Sequence, residues 1–119
     1  MASLEVIVID WLKTFVGEDY PVSSEKPDPV PESYILVERT RGPREHMVLD
    51  RAEIRIEIYH KSSKLTASNK ADEIADRIIE LEALNNDITH SSVNSVVPLD
   101  DLIGAYRRYQ VYCDIYHRR

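Results

Sequence analysis

Apolar residues recur along this chain with two different periods, and the change of period divides it into elements. Leu4, Ile7, Val8, Trp11, Leu12 and Phe15 are spaced by three and four residues. That spacing draws one stripe down an α-helix. The run Val6-Ile7-Val8-Ile9 by itself favours a strand, because β-branched side chains suit a pleated surface, but the wider spacing overrides it. Glu5 and Lys13 fall off the stripe, Ser3 can cap the start, and Gly17 suits the stop. The expectation is an amphipathic helix from Ser3 to Val16.

From Gly17 to Glu32 the periodicity disappears. Pro21, Pro27, Pro29 and Pro31 stand among charged residues. Proline lacks a backbone donor and has a fixed φ, which excludes helix and central strand here. The segment 18–32 reads as an extended loop with room for a short strand near Val22. A long loop of this kind inside one domain is often functional.

Period two then takes over. Tyr34 to Thr40 reads as a strand, Arg41-Gly42-Pro43-Arg44 as a turn, and Arg51 to Lys61 as a second strand. In the latter, Ile54, Ile56 and Ile58 alternate with Arg55, Glu57 and Tyr59, which predicts one buried and one wet face. A slip of one residue would put three isoleucines in water, so the register is strongly specified. Thr66 to Leu84 reads as the second helix, with Ala71, Ile74, Ala75, Ile78 and Leu81 as its buried stripe. Ser68 or Asn69 is its expected cap, Asp72 and Glu73 lie in the expected first turn, and Asn85-Asn86-Asp87 ends it.

Ile88 to Val97 is a strand broken by polar residues, suited to an edge. Pro98 is expected to close it, with Asp100 and Asp101 in the following loop. The last strand runs from Tyr106 to His117. Tyr109, Val111, Cys113 and Ile115 point one way, and Arg108, Gln110, Tyr112, Asp114 and Tyr116 the other. The pattern predicts one α+β domain over residues 1–119, an antiparallel sheet of about four strands with two helices packed on one face.

Composition narrows the function classes. The chain has 119 residues, 43% hydrophobic and 30% charged, enough for a single domain with its own core. Its net charge of −6 opposes duplex-DNA binding, where cations neutralise phosphates. An acidic surface suits a channel through which DNA slides without sticking. The longest apolar run is too short for a membrane span, and no basic region precedes it, so no signal peptide is expected. The single cysteine, Cys113, leaves no internal disulfide and no multi-cysteine zinc site. The simplest compartment is the cytoplasm.

Candidate chemistry is sparse. The histidines are His46, His60, His90 and His117, and no pair has the helical spacing of a zinc motif. His60 and His117 end two strands on their core-facing sides, so they could meet in a small metal-dependent active site; two separate strand-end histidines is the plainer reading. Cys113 lies mid-strand among apolar neighbours and reads as a core residue rather than an activated thiol. No glycine-rich phosphate loop and no nucleophile elbow occur, and the carboxylates are expected on wet faces.

Two features point instead to protein contact. Tyr59, Tyr112 and Tyr116 are expected on the wet sheet face among charges, a composition that interfaces favour; cross-strand tyrosine–arginine pairing without a partner is the alternative. Arg39, Arg41, Arg44 and Arg51 cluster around the Gly42-Pro43 turn. They suit docking against acidic groups of another subunit, a local nucleic-acid contact, or a plainly solvated loop.

The whole pattern resembles the tail terminator, or tail completion, proteins of long-tailed bacteriophages and their prophages. The similarity covers nearly the entire chain. It runs from the helix bearing Trp11-Leu12, through the proline-bearing loop and the strand Tyr34-Ile35-Leu36-Val37-Glu38-Arg39, to the segment Gly42 to Tyr59. There Leu49-Asp50-Arg51 leads into the alternating strand. The Ala71-Asp72-Glu73-Ile74-Ala75 helix and the closing Tyr106-Arg107-Arg108-Tyr109-Gln110-Val111-Tyr112 strand complete it. The resemblance implies a ring-forming subunit, commonly a hexamer, that caps the tail tube, ends its polymerisation and presents a surface to the head connector. DNA would pass through the lumen without specific binding. The protein would be made in the host cytoplasm and reside at the head-proximal end of the virion tail. No catalytic residue and no cofactor is implied. The neighbouring reading is a head-completion or stopper protein of the virion neck.

Overall fold

The computed structural model describes residues 4–40, 49–61, 63–84, 88–103 and 106–118. Among these the elements run α1 (Leu4–Lys13), β1 (Val22–Ser23), β2 (Ser33–Thr40), β3 (Leu49–His60), α2 (Lys64–Arg77), α3 (Glu80–Leu84), β4 (Ile88–Ile103) and β5 (Tyr106–Arg118). The fold is α+β. The strands form one sheet in the order β1-β2-β3-β5-β4. Every pair is antiparallel except β1 with β2, which is parallel. The expected four antiparallel strands are thus β2 to β5, and the short strand at Val22 adds a fifth that makes the sheet mixed.

The first helix follows its stripe. Leu4, Val8, Trp11 and Leu12 are buried, while Ile7 and Phe15 pack partly against the core. Gly17 ends the turn after it with φ of +86°, a left-handed conformation that residues with a Cβ rarely adopt. The expected cap Ser3 lies outside the described residues. Trp11 donates from Nε1 to Glu80 Oε1 at 3.2 Å, and Arg77 donates from Nε to Glu80 Oε2 at 2.9 Å. The Arg77 and Trp11 hydrogen bonds together hold the Glu80 carboxyl below its usual range, and they clasp α1 to the α2–α3 region.

The second helix starts earlier than expected. Ser63, not Ser68 or Asn69, is the N-cap, and its hydroxyl accepts from the Thr66 N–H at 3.0 Å. Asp72 and Glu73 therefore lie mid-helix. The apolar stripe also extends one turn back, to the fully buried Ala67, which is why the cap moves. Nor is the helix continuous. The Ile78 carbonyl accepts from Leu81 N at 3.1 Å and from the Ser91 hydroxyl at 3.0 Å. That tightened turn separates α2 from the short α3. The expected terminator Asn85-Asn86-Asp87 lies outside the described residues.

All three helices send their buried residues into one core, against Ile35, Val37, Ala52, Ile54, Ile56, Ile58, Val111, Cys113 and Ile115. Ile54, Ile56 and Ile58 have no exposed surface, and each contributes about 1.5–3 kcal/mol by burial.

The fourth strand does not stop at Pro98. It continues to Ile103, with Pro98 opposite Tyr109. A proline is tolerated because β4 is the outer strand, so the missing N–H removes no ladder bond from a central strand. The register of β4 shifts near Thr89, near Asn94 and beyond Leu99, and such irregularities protect an edge from further pairing.

Two substitutions test this frame. Ile56→Ala is expected to lower the unfolding free energy by about 3 kcal/mol, through lost burial plus a cavity. Ser63→Ala is expected to lower it by about 1 kcal/mol, through loss of the cap. Equilibrium urea unfolding should show both as midpoint shifts at unchanged slope.

Candidate functional site

The central strands β3 and β5 pair along their whole length, so alternate residues form a two-column ladder on the face opposite the helices. Its rungs are Arg51 with Tyr116, Glu53 with Asp114, Arg55 with Tyr112, Glu57 with Gln110, and Tyr59 with Arg108. β2 adds Tyr34 opposite Tyr59, Leu36 opposite Glu57 and Glu38 opposite Arg55. Arginine faces tyrosine on three of the five rungs. The tyrosine–arginine pairing left open by the sequence is therefore present, and it forms part of a larger network.

Glu57 is the hub of that network. Its Oε2 accepts from Tyr59 Oη at 3.0 Å and from Gln110 Nε2 at 3.2 Å. Arg108 Nη1 lies 3.5 Å from the same oxygen, and Arg55 Nε lies 3.4 Å from Oε1. Tyr112 donates to Gln110 Oε1 at 2.8 Å, and Arg55 also pairs with Glu38. The Tyr34 and Tyr59 rings stack with centroids 4.4 Å apart, and the Arg108 guanidinium sits 5.8 Å from the Tyr59 ring centre.

This face is less wet than alternation predicts. Tyr59 is only 6% exposed, Glu57 7% and Gln110 8%. Long polar and aromatic side chains on adjacent rungs cover one another, as amphipathic side chains do. A carboxylate so enclosed is tolerable because both its oxygens are engaged by donors or cations. Burial, with the nearby Glu57 charge, raises the Tyr59 phenol above its ordinary value, while Arg108 opposes that shift.

The other predicted residues divide. Tyr112 and Tyr116 lie on this face, half-buried. Beside Tyr116 is a shallow depression of about 390 Å³ lined by Thr89, His90, Ser92, Asp114 and Tyr116. The predicted arginine cluster is split by strand parity. Arg51 lies opposite Tyr116 on the ladder face, whereas Arg39 lies opposite Ile54, on the helix-side parity, and is exposed at the sheet end. Arg41 and Arg44 lie outside the described residues.

The proposed meeting of His60 and His117 does not occur. Antiparallel pairing sets His60 opposite Arg107, ten residues before His117 on the same partner strand, a separation of roughly 33 Å. Both do lie on the core-side parity, but at opposite ends of the sheet. Cys113 is a buried core residue whose Sγ lies 3.6 Å from the Ile54 carbonyl. Burial first, then the charges of Asp114 and Glu53, push its thiol up to about 12.

Sequence reasoning missed Glu57, Gln110, Arg55, Arg108 and Tyr34 as members of the site. The signal was available for the four on the central strands, since their positions share the parity of Tyr59 and Tyr112. Tyr34 needed the β2–β3 register. No known family profile and no curated protein sequence matches this chain.

Removing the hub should be costly. Glu57→Ala is expected to destabilise by about 3 kcal/mol, because two cations and two neutral donors lose a shared acceptor, measured by urea unfolding. The thiol gives a pH test. Its folded pKa lies above its ordinary value of 9.0, so its contribution is intact below pH 9 and is lost between there and about 12 as the unfolded thiol ionises first. Cys113→Ala should flatten the alkaline fall of stability. In the native wild type Cys113 should resist a thiol reagent at pH 8 and react on unfolding.

Proposed function

We propose that this chain is a virion assembly protein of long-tailed bacteriophages, a subunit of a ring that caps the tail tube, ends its polymerisation and joins the tail to the head connector. The observation that carries the reading is the β3–β5 face. It holds tyrosines, arginines and a hub carboxylate in fixed, mutually hydrogen-bonded positions on the side of the sheet away from the helices. Aromatic and arginine side chains held in this way suit a protein partner, since little side-chain freedom remains to be lost on contact. The α+β architecture with helices on one face agrees with the reading, as does the order of elements that carries the resemblance. A net charge of −6 suits a lumen that DNA traverses without being held.

In this reading the ring is a homo-oligomer, a hexamer on the tail, with the tail tube protein on one side and the head connector or stopper protein on the other. The closed ring requires a heterologous contact, one patch of each subunit against a different patch of the next. The ladder face, with the half-buried Tyr112, Tyr116 and Arg51 at its surface and the buried Tyr59 bracing it from beneath, is the surface offered to the tube or connector.

The test is to mix the purified protein with a tail tube protein encoded beside it and to measure tube lengths by negative-stain electron microscopy. Shortened tubes carrying a ring at one end are the expected result. Unchanged tube growth with no co-sedimentation would overturn the terminator reading, and binding to filled heads instead would assign the chain to the stopper class. Tyr112→Ala combined with Arg51→Glu should reduce tube capping at least ten-fold while leaving the fold intact by circular dichroism.

A further inference from the structure

A second polar site lies away from the ladder face, where the chain leaves α1 and enters β2. It is a cleft of about 340 Å³ lined by Asp19, Tyr20, Glu32, Ser33, His60 and Thr66. Backbone contacts fix its walls: the Ser33 hydroxyl donates to the Asp19 carbonyl, and Lys61 N donates to the Glu32 carbonyl at 2.8 Å. His60 Nδ1 accepts from the Ser63 N–H at 3.1 Å, which ties the cleft to the start of α2.

Tyr20 is the informative member. It is 6% exposed, and its buried hydroxyl has no hydrogen-bond partner among the described residues. Buried hydroxyls are nearly always paired, so an orphan in a residue that walls a cleft points to a missing guest. Lys70 occupies the ring face of Tyr20, with Nζ 5.3 Å from the centroid, but is not part of the cleft wall and pairs with Glu73 at 3.4 Å. The wall itself carries two carboxylates, on the exposed residues Asp19 and Glu32, together with hydroxyl and imidazole groups. A guest with one positive charge and several N–H donors matches that set, and a guanidinium is the side chain of that description.

One exposed arginine, Arg107, stands opposite His60 at the cleft end of the sheet, and another, Arg39, stands at the far end. Arg39 is exposed near the end of β2, and Arg41 and Arg44, outside the described residues, follow it in the sequence. The cleft residue Ser33 begins β2, so Arg39 of the same molecule lies on the order of 20 Å from it along the strand. A carboxylate-bearing cleft at one end of the sheet and an exposed arginine at the other suit a head-to-tail contact between copies.

We propose that the Asp19/Glu32 cleft takes an arginine guanidinium from the segment 39–44 of a second copy of this chain. The proposal rests on the ring-forming reading and names the groups that meet between subunits. The Tyr20 hydroxyl oxygen accepts from the guanidinium, supplying the hydrogen bond that it lacks in the isolated subunit.

The probe is a synthetic peptide of residues 38–45, titrated into the isotope-labelled full chain and followed by amide NMR. Saturable shifts are expected at Asp19, Tyr20, Ser33, His60 and Thr66, and a peptide with Arg39, Arg41 and Arg44 all replaced by Gln should lose them. Asp19→Asn with Glu32→Gln should weaken binding at least ten-fold. Tyr20→Phe should weaken it about five-fold, one hydrogen bond's worth, without lowering the melting temperature, because no bond of the free subunit is lost. Absence of shifts at these amides, or equal binding by the carboxamide variant, overturns the proposal. Tube capping separates the two readings. Rings that form normally with the carboxamide variant sink the cleft and keep the ring, whereas peptide binding without any ring keeps the cleft contact and sinks the ring.

Discussion

The pairing of β3 with β5 is the constraint on which the rest depends. Twelve consecutive residues of β3 are matched in antiparallel register, and the period of two then assigns every side chain to one face or the other. On one face this aligns Ile54, Ile56 and Ile58 with Cys113, Val111 and Tyr109, making the floor on which α2 rests, while α1 packs against β1 and β2 and α3 against β4. On the other it aligns Arg55 with Tyr112 and Tyr59 with Arg108. A shift of one residue would expose the isoleucines and bury the charges in the same step. Core and ladder are therefore specified together.

The ladder shows how a polar sheet face becomes ordered without an apolar layer. Glu57 gathers Tyr59, Gln110, Arg108 and Arg55 around one carboxylate. Each bond is modest by itself, but satisfied networks at reduced dielectric reinforce one another, and losing one member strands the rest. The consequence for function is rigidity. A surface whose tyrosines and arginines are already positioned loses little entropy on meeting a partner, and it is stiff enough to favour one partner geometry over others.

The ends of the sheet behave differently from its middle. At the β2 start and β3 end, the chain leaving α1 brings Asp19 and Tyr20 beside Glu32, Ser33 and His60. At the other end stand Arg39 and Arg51 on opposite faces. The long outer strand β4 is held to α3 through Ser91, whose N–H donates to Glu82 Oε1 at 2.7 Å. Its proline and register shifts interrupt the edge, so pairing strand to strand with another chain is disfavoured. Contact between copies is left to side chains at the faces and ends.

By itself the sequence determined the α+β class, the stripe of α1, the isoleucine face of β3, the side-chain split of β5 and the burial of Cys113. These all follow from periodicity, which acts over neighbouring residues and needs no knowledge of what they touch. Tertiary structure decided what depends on pairing between distant segments. The β3–β5 direction set His60 and His117 at opposite ends of the sheet. The outer position of β4 let the strand pass through Pro98. Ser91 reached the Ile78 carbonyl where the second helix breaks. The polar side chains read as a wet face became a largely enclosed network, because cross-strand neighbours on β2, β3 and β5 shield one another. Local pattern states which side a residue prefers; only register states which residues share that side, and burial of a polar group depends on those neighbours.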